Sequence, residues 1–282
     1  PAIPALPDGF RGMARIGISL LSDDNPRIKI ESYFAVTSNT VQFGARAERY
    51  ERHAGLQRAI AGRLARLLPE LERPHVLELG CGTGLFSRHL LSRYPDATFL
   101  LTDLAPSMVE QCRRNLAGYH KQRVSFEIMD AARPTTEGPF DLIATSMTLH
   151  WLADPAATLA TLRKLLAPGG VLIYATISGK SFPEWLATLE GQGLPVGLLD
   201  IPELPGIVDE ERIVADGDTL GFLRRMKAVG GLTPREDYAA LPPGRLRRAI
   251  RAADRQHGGR ITWHIVYGRL ATSQSSPSIS PA

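Results

Sequence analysis

Only two cysteines, Cys81 and Cys112, occur in 282 residues, which excludes a fold stapled by disulfides. Neither stands in a CxxC pair or beside a histidine at ligand spacing, so no metal site is expected, and a reducing cytoplasm is the expected compartment. No uncharged apolar run approaches the roughly 18 residues of a membrane-spanning helix. The longest apolar runs, such as Gly170 to Ile177, have strand length. There is no self-similar period of the kind repeat proteins show and no triplet glycine period. Pro1 to Gly12 carries three prolines and no basic stretch leading into a long apolar one, so a secretory leader is not expected. Met13 stands as a candidate natural start.

What is there reads as a soluble globular chain, 44% hydrophobic and 22% charged, long enough for one large α/β domain or a core with an appendage. The net charge of +4 is modest but uneven. From Thr219 to Leu270 eleven Lys or Arg face only Glu236, Asp237 and Asp254, a net +8 in that segment. Phe43 to Leu71 places Leu56, Ile60, Leu64 and Leu67 or Leu68 at helical spacing, predicting an amphipathic helix that ends before Pro69.

Between His75 and Thr176, short apolar runs alternate with amphipathic ones, the pattern of βαβ units and a parallel sheet. Strands are expected at His75–Leu79, Thr98–Asp103, Val124–Met129, Phe140–Ser146 and Val171–Thr176. The helices between them are expected at about Gly84–Tyr94, Pro106–Tyr119 and Pro155–Leu166. Beyond Ile177 the alternation breaks into a Gly/Pro-rich insertion, Gly191 to Gly206. A short strand at Glu211–Ala215, basic helices at Thr219–Val229 and Pro243–Gln256, and a last, amphipathic strand at Ile261–Leu270 follow.

The sharpest motif is Val76-Leu-Glu-Leu-Gly80-Cys-Gly82-Thr-Gly84: an apolar strand, an acid, three glycines at every second position, then a helix. Glycines there let the chain turn tightly and approach a ligand, because no Cβ intervenes. A dinucleotide fingerprint would need glycine at position 85, which is Leu85, and Glu78 would repel a pyrophosphate. Glu78 suits an ammonium or sulfonium instead. Asp103, at the tip of the second strand, can accept both ribose hydroxyls, and Asp130-Ala131 follows the third strand, where an acid can receive an adenine amino group. Three acids at three successive strand ends describe a nucleoside ligand without phosphates.

ELGCGTG, LTDLAPSM, FEIMDAA, FDLIATSMTLHWL and LLAPGGVLIYAT, in this order, resemble the successive motifs of class I S-adenosylmethionine-dependent methyltransferases. The resemblance covers about Arg73 to Thr176. It implies an α/β fold, a Rossmann-like seven-stranded core with an N-terminal lid segment and a helical cap insertion, and S-adenosyl-L-methionine as cofactor. Carried onto this sequence, it implies that Glu78, Gly80, Cys81, Gly82 and Gly84 meet the methionine moiety and Asp103 the ribose. Leu104 and Met108 would cover the adenine face, Asp130 and Ala131 its edge, and Ser146 and Met147 the sulfonium side.

FGARAERYERHAGLQ near the start, and LRRMKAVGG followed by WHIVYG near the end, are similar to the malonyl-[acyl-carrier protein] O-methyltransferases of biotin synthesis, the BioC family. In Leu149-His150-Trp151 the sequence carries His where that family's text has Gln. The division implied is an irregular arm over 1–38, a lid and helix over 39–72, the cofactor core over 73–177, a cap with basic helices over 178–260, the last core strand over 261–270 and a disordered tail over 271–282. The activity implied is O-methylation of the malonyl carboxylate.

That acceptor is ionised at neutral pH and needs holding rather than a base. Tyr50, Arg224 and Lys227 are the candidates for the clamp; the alternatives are an anchor for the lid and a solvated helix face. His150 is either a base for a hydroxyl or amine acceptor or a packed wall residue. His53 is expected to fix the N-terminal segment. Arg245, Arg247, Arg248 and Arg251 fit an acidic acyl-carrier protein as partner, or simply keep the surface soluble. Nucleic acid is not expected, since no interleaved aromatics or helix-turn-helix, zinc or RNA-recognition signature accompanies them. Two other readings stand: a small-molecule O- or N-methyltransferase using His150 as base, and a regulatory module that binds the cofactor without turnover.

Overall fold

The computed structural model describes residues 36–37, 40–41, 55–119, 123–197, 201–215, 217–228, 238–239 and 241–272. Seven strands form one sheet: β1 His75–Leu79, β2 Thr98–Asp103, β3 Arg123–Ile128, β4 Phe140–Ser146, β5 Leu166–Ile177, β6 Ile207–Ala215 and β7 Ile261–Ala271. Their order is β3-β2-β1-β4-β5-β7-β6. The first five run parallel, and β7 lies antiparallel between β5 and β6. The helices are α1 Gly55–Leu64, α2 Ser87–Arg93, α3 Pro106–Asn115, α4 Pro155–Arg163, α5 Pro183–Gly191, α6 Thr219–Ala228 and α7 Pro243–His257.

Side-chain alternation sends each strand's apolar residues to two faces. Val76, Phe99, Leu101, Leu142, Ile173 and Ala175 meet α1, α2 and α3 on one side. Leu77, Leu79, Ile143 and Leu172 meet Leu159 and Leu162 of α4 on the other. α4 begins as its sequence dictates: Asp154 Oδ1 accepts the Ala157 amide at 2.8 Å and Pro155 fills the first turn. α7 ends at Gly258, left-handed with φ 63°.

Several boundaries differ from the sequence reading. β5 starts at Leu166, which pairs with Phe140, while the next pairing in register is Leu142 with Val171, so Pro168-Gly169-Gly170 is absorbed as an irregularity within the strand. β6 begins four residues earlier than Glu211 because Ile207 already pairs with Gly268. The last strand is not amphipathic in its burial. Ile261, Trp263, Ile265 and Tyr267 pack on one face, yet Val266 and Leu270 are buried on the other, since β7 sits inside the sheet. It runs on to Ala271, the first residue of the expected tail. Val36–Thr37 and Thr40–Val41 pair as a two-residue ladder; the rest of the expected arm, residues 43–54 of the expected helix, and 273–282 lie outside the described residues.

α5 was not read from the sequence at all. It follows Phe182, which is left-handed (φ 63°), and buries Trp185 and Leu189. Phe182 meets Trp263 edge-to-face and Phe222 at a tilt, with ring centroids 4.7 and 5.1 Å away, joining the turn before α5 to β7 and α6. Glu184 accepts the Thr262 amide at 2.9 Å. Across the sheet, Arg63 of α1 holds Asp209 through Nε and Nη2 at 2.9 and 2.8 Å and Glu211 through Nη1 at 2.7 Å. The Tyr267 hydroxyl donates to the same Glu211. This forked pairing fixes α1, and with it the segment leading into the core, to the far strands. Among the described residues, no helix is long and apolar enough to cross a membrane.

Candidate active site

The sheet order reverses around β1, whose neighbours are β2 and β4. The helices that follow β1 and β4 therefore leave to opposite faces, and a crevice opens beyond the carboxyl ends of the two strands. The glycine loop lines it. Cys81 donates its amide to Thr102 O at 2.8 Å, stitching the loop to β2.

The three glycines are left-handed, with φ 68°, 54° and 89°, and each answers a different demand. A Cβ on Gly80 would sit 2.0 Å from Thr148 Oγ1 in the turn after β4, and one on Gly84 would sit 3.2 Å from Cys112 Sγ of α3. A Cβ on Gly82 would meet nothing within 4 Å, so this residue faces open space. Asp103 ties the loop down: Oδ2 accepts the Gly82 amide and Oδ1 the Ala105 amide, both at 2.9 Å.

Glu78 is 1% exposed, and its Oε2 has no partner. Burial pushes its carboxyl up to about 8, opposed by a hydrogen bond from Ser87 and reinforced by the charge of Asp103. Burial likewise raises Asp103, against the pull of the Ala105, Gly82 and Leu104 amides. Two buried acids thus share one place, Glu78 with an orphaned oxygen and its ionisation opposed by burial and by Asp103, with no cation paired to either among the described residues. The fit is to a cation, and a pyrophosphate would be repelled.

Asp130 accepts the Ala132 amide at 2.9 Å in the turn after β3, with Ala131 buried beside it. Leu104 follows Asp103, and Met108 is buried in the first turn of α3. Ser146 closes β4, and Met147 is left-handed (φ 57°) while donating its amide to Ala175 O at 2.8 Å. A non-glycine residue held there costs about 1–3 kcal/mol, a strain that clusters at functional sites. His150 lies in the short turn Leu149–Trp151 and reaches Thr176 Oγ1 of β5 through Nδ1 at 3.2 Å. Burial lowers its imidazole to about 4, so it is neutral at neutral pH.

The glycine loop, Glu78, Asp103, Ser146 and Met147 are thus brought to one crevice. Of the expected clamp, Arg224 is exposed on α6, while Tyr50 and the side chain of Lys227 lie outside the described residues, as does His53. Sequence reasoning missed Ser87, Thr148 and Thr176. Thr148 lies two residues past β4, whereas Ser87 opens α2 and Thr176 sits inside β5, so no common spacing marks the three.

Comparison with known proteins agrees with this geometry. A family described as a methyltransferase domain matches residues 77–172, and a family of unknown function matches residues 5–61. The chain is 36% identical over 239 residues to the malonyl-[acyl-carrier protein] O-methyltransferase of Magnetococcus marinus, covering 79% of this chain and 88% of that one. It belongs to that methyltransferase family. The protein of the same name from Halorhodospira halophila is 34% identical over 255 residues, covering 80% and 84%. Among solved structures, the YcgJ protein of Bacillus subtilis shares the fold at a TM-score of 0.56 and 13% identity, covering 77% of this chain and 99% of that one. Like its family, the chain is a class I methyltransferase that takes S-adenosyl-L-methionine as methyl donor, and the buried Glu78, whose Oε2 is unpartnered, fits a cation.

Proposed function

We propose that the chain methylates the free carboxylate of malonyl-acyl-carrier protein, in the cytoplasm, masking the acid as a methyl ester for biotin precursor synthesis. The observation that carries this reading is the likeness to proteins of that name along nearly their whole length. Malonyl-acyl-carrier protein incubated with enzyme and cofactor should gain one methylene by mass spectrometry. No gain, alongside turnover of a free small acid or phenol, overturns the assignment.

The cofactor supplies a methyl group on a positively charged sulfur with a neutral thioether as leaving group. The protein's work is alignment and exclusion of water. Glu78 takes the ammonium of the methionine moiety on its unpartnered oxygen. Gly80, Cys81, Gly82 and Gly84 let the backbone approach that moiety. Asp103 offers the ribose the acceptor sites that the Gly82 and Ala105 amides leave free. Leu104 and Met108 cover the adenine face, Asp130 and Ala131 meet its edge, and Ser146 and Met147 border the sulfur. Tyr50, Arg224 and Lys227 close on the acceptor, which is already ionised and needs no base.

Asp103→Ala should weaken cofactor binding by about 1–3 kcal/mol, the loss expected when hydrogen bonds to a charged group go. Calorimetry that finds unchanged affinity contradicts the ribose role. The carrier protein is proposed to dock on α7, where Arg245, Arg247, Arg248, Arg251 and Arg255 are exposed and make no ion pair with a described residue. Such a face steers an acidic partner. Reversing Arg247 and Arg248 to Glu should raise KM for the malonyl-carrier roughly tenfold or more, with strong salt dependence, and leave cofactor affinity unchanged.

A further inference from the structure

We propose that His150 presents its Nε2–H to the acceptor carboxylate as a neutral hydrogen-bond donor, in a tautomer set by the Thr176 hydroxyl. The inference rests on the carboxylate acceptor proposed above and adds two roles to it: a binding donor, His150, and a positioning residue, Thr176.

The argument begins at Thr176. It is fully buried, the last residue but one of β5, and among the described residues its hydroxyl has one partner, His150 Nδ1 at 3.2 Å. A buried hydroxyl hydrogen left without an acceptor costs about 1–3 kcal/mol. If Nδ1 carried the proton and donated to Oγ1, the hydroxyl hydrogen would be stranded. Pointing that hydrogen at Nδ1 satisfies both atoms, and a neutral imidazole then carries its proton on Nε2. Nε2 makes no hydrogen bond with a described residue, and it is not among the side-chain atoms sealed from solvent without a partner. It is a donor without an acceptor, three residues beyond the strained Met147 and two beyond the Thr148 that packs on Gly80.

The chemistry asks for such a group. As the acceptor oxygen bonds the methyl carbon, the carbon–sulfur bond breaks, and the negative charge of the carboxylate and the positive charge of the sulfonium cancel. No proton moves, so a base has nothing to accept. A donor on the second carboxylate oxygen orients the attack. An imidazolium would place a like charge near the sulfonium and hold the nucleophile's electrons more tightly. Burial keeps the imidazole neutral throughout the neutral range.

Two measurements on the full chain test this separately. Long-range proton–nitrogen spectra of histidine-labelled protein, with His150 assigned by its loss in His150→Gln, should show the Nε2–H tautomer at pH 7. Thr176→Ser should keep it and Thr176→Val should lose the preference. An Nδ1–H form or an imidazolium overturns the proposal, and this readout needs no acceptor.

In turnover of malonyl-carrier, His150→Ala should raise KM by about 10- to 100-fold with cofactor affinity unchanged. His150→Gln, whose terminal amide reaches the place of Nε2, should restore it to within a few-fold of wild type. A glutamine variant as impaired as the alanine one, with the loss in kcat, marks a base and overturns the proposal. Wild-type protein that forms no methyl ester on malonyl-carrier fails the substrate reading instead, while the spectrum still decides the tautomer.

Discussion

Gly80→Ala is expected to lower stability by about 2–5 kcal/mol and to abolish cofactor binding. Two terms add. A left-handed alanine costs about 1–2 kcal/mol, and forcing a methyl into a filled site costs about 1–3 kcal/mol. The filled site is specific: the new Cβ would lie 2.0 Å from Thr148 Oγ1 and 2.9 Å from Thr148 Cβ. Rotating the threonine relieves only the first contact, so backbone must move, and the loop it would displace is the one that Asp103 and Thr102 hold in place. The midpoint of thermal unfolding should fall by roughly 5–15 °C. Adding Thr148→Ala should return part of the packing loss and none of the backbone loss, giving a coupling a double-mutant cycle can read. A single variant that melts within a degree or two of the parent refutes the contact.

Glu78→Gln should weaken cofactor binding by about 10- to 100-fold, as loss of a charged hydrogen-bond acceptor predicts, while making the cofactor-free protein more stable at pH 8. In the folded state the carboxyl stays protonated up to about 8, whereas its ordinary value is 4.5. Between those values the folded chain holds a proton that the unfolded chain has released. Stability therefore falls as pH rises through that window and levels above it. The glutamine variant lacks this loss, so its advantage in chemical denaturation should grow from pH 5 to pH 8. A cationic ligand reverses the preference and favours the ionised acid. Wild-type affinity for the cofactor should rise towards pH 8 with release of a proton, seen as a dependence of the binding enthalpy on buffer, and the variant should show neither. A parallel pH dependence in both proteins would remove Glu78 from the methionine end of the site.

The core was legible because its signals are local. His75–Leu79, Thr98–Asp103 and Phe140–Ser146 were bounded to the residue by runs of apolar side chains between breakers, and the parallel sheet followed from their alternation with helices. Glu78, the three glycines and Asp103 stand out in the sequence for the same reason, since each lies at or beside a strand end. What escaped depends on residues far apart in the chain. Arg63 and Asp209 are separated by 146 positions, Thr148 and Leu79 by 69, His150 and Thr176 by 26, and no spacing rule links them. α5 was hidden because nine residues with two buried anchors look like loop when glycines follow at once.

The placement of β7 has a consequence for how the chain is made. β6 leaves the ribosome before β7, the only strand with which it pairs among the described residues. Until the closing residues emerge, β5 presents a bare edge and β6 has nowhere to dock, so the nascent enzyme carries two unmatched strands exposed to other chains. Synthesis halted shortly before Ile261 would leave a precursor prone to clumping, and chaperones that shield strand edges would find their work there.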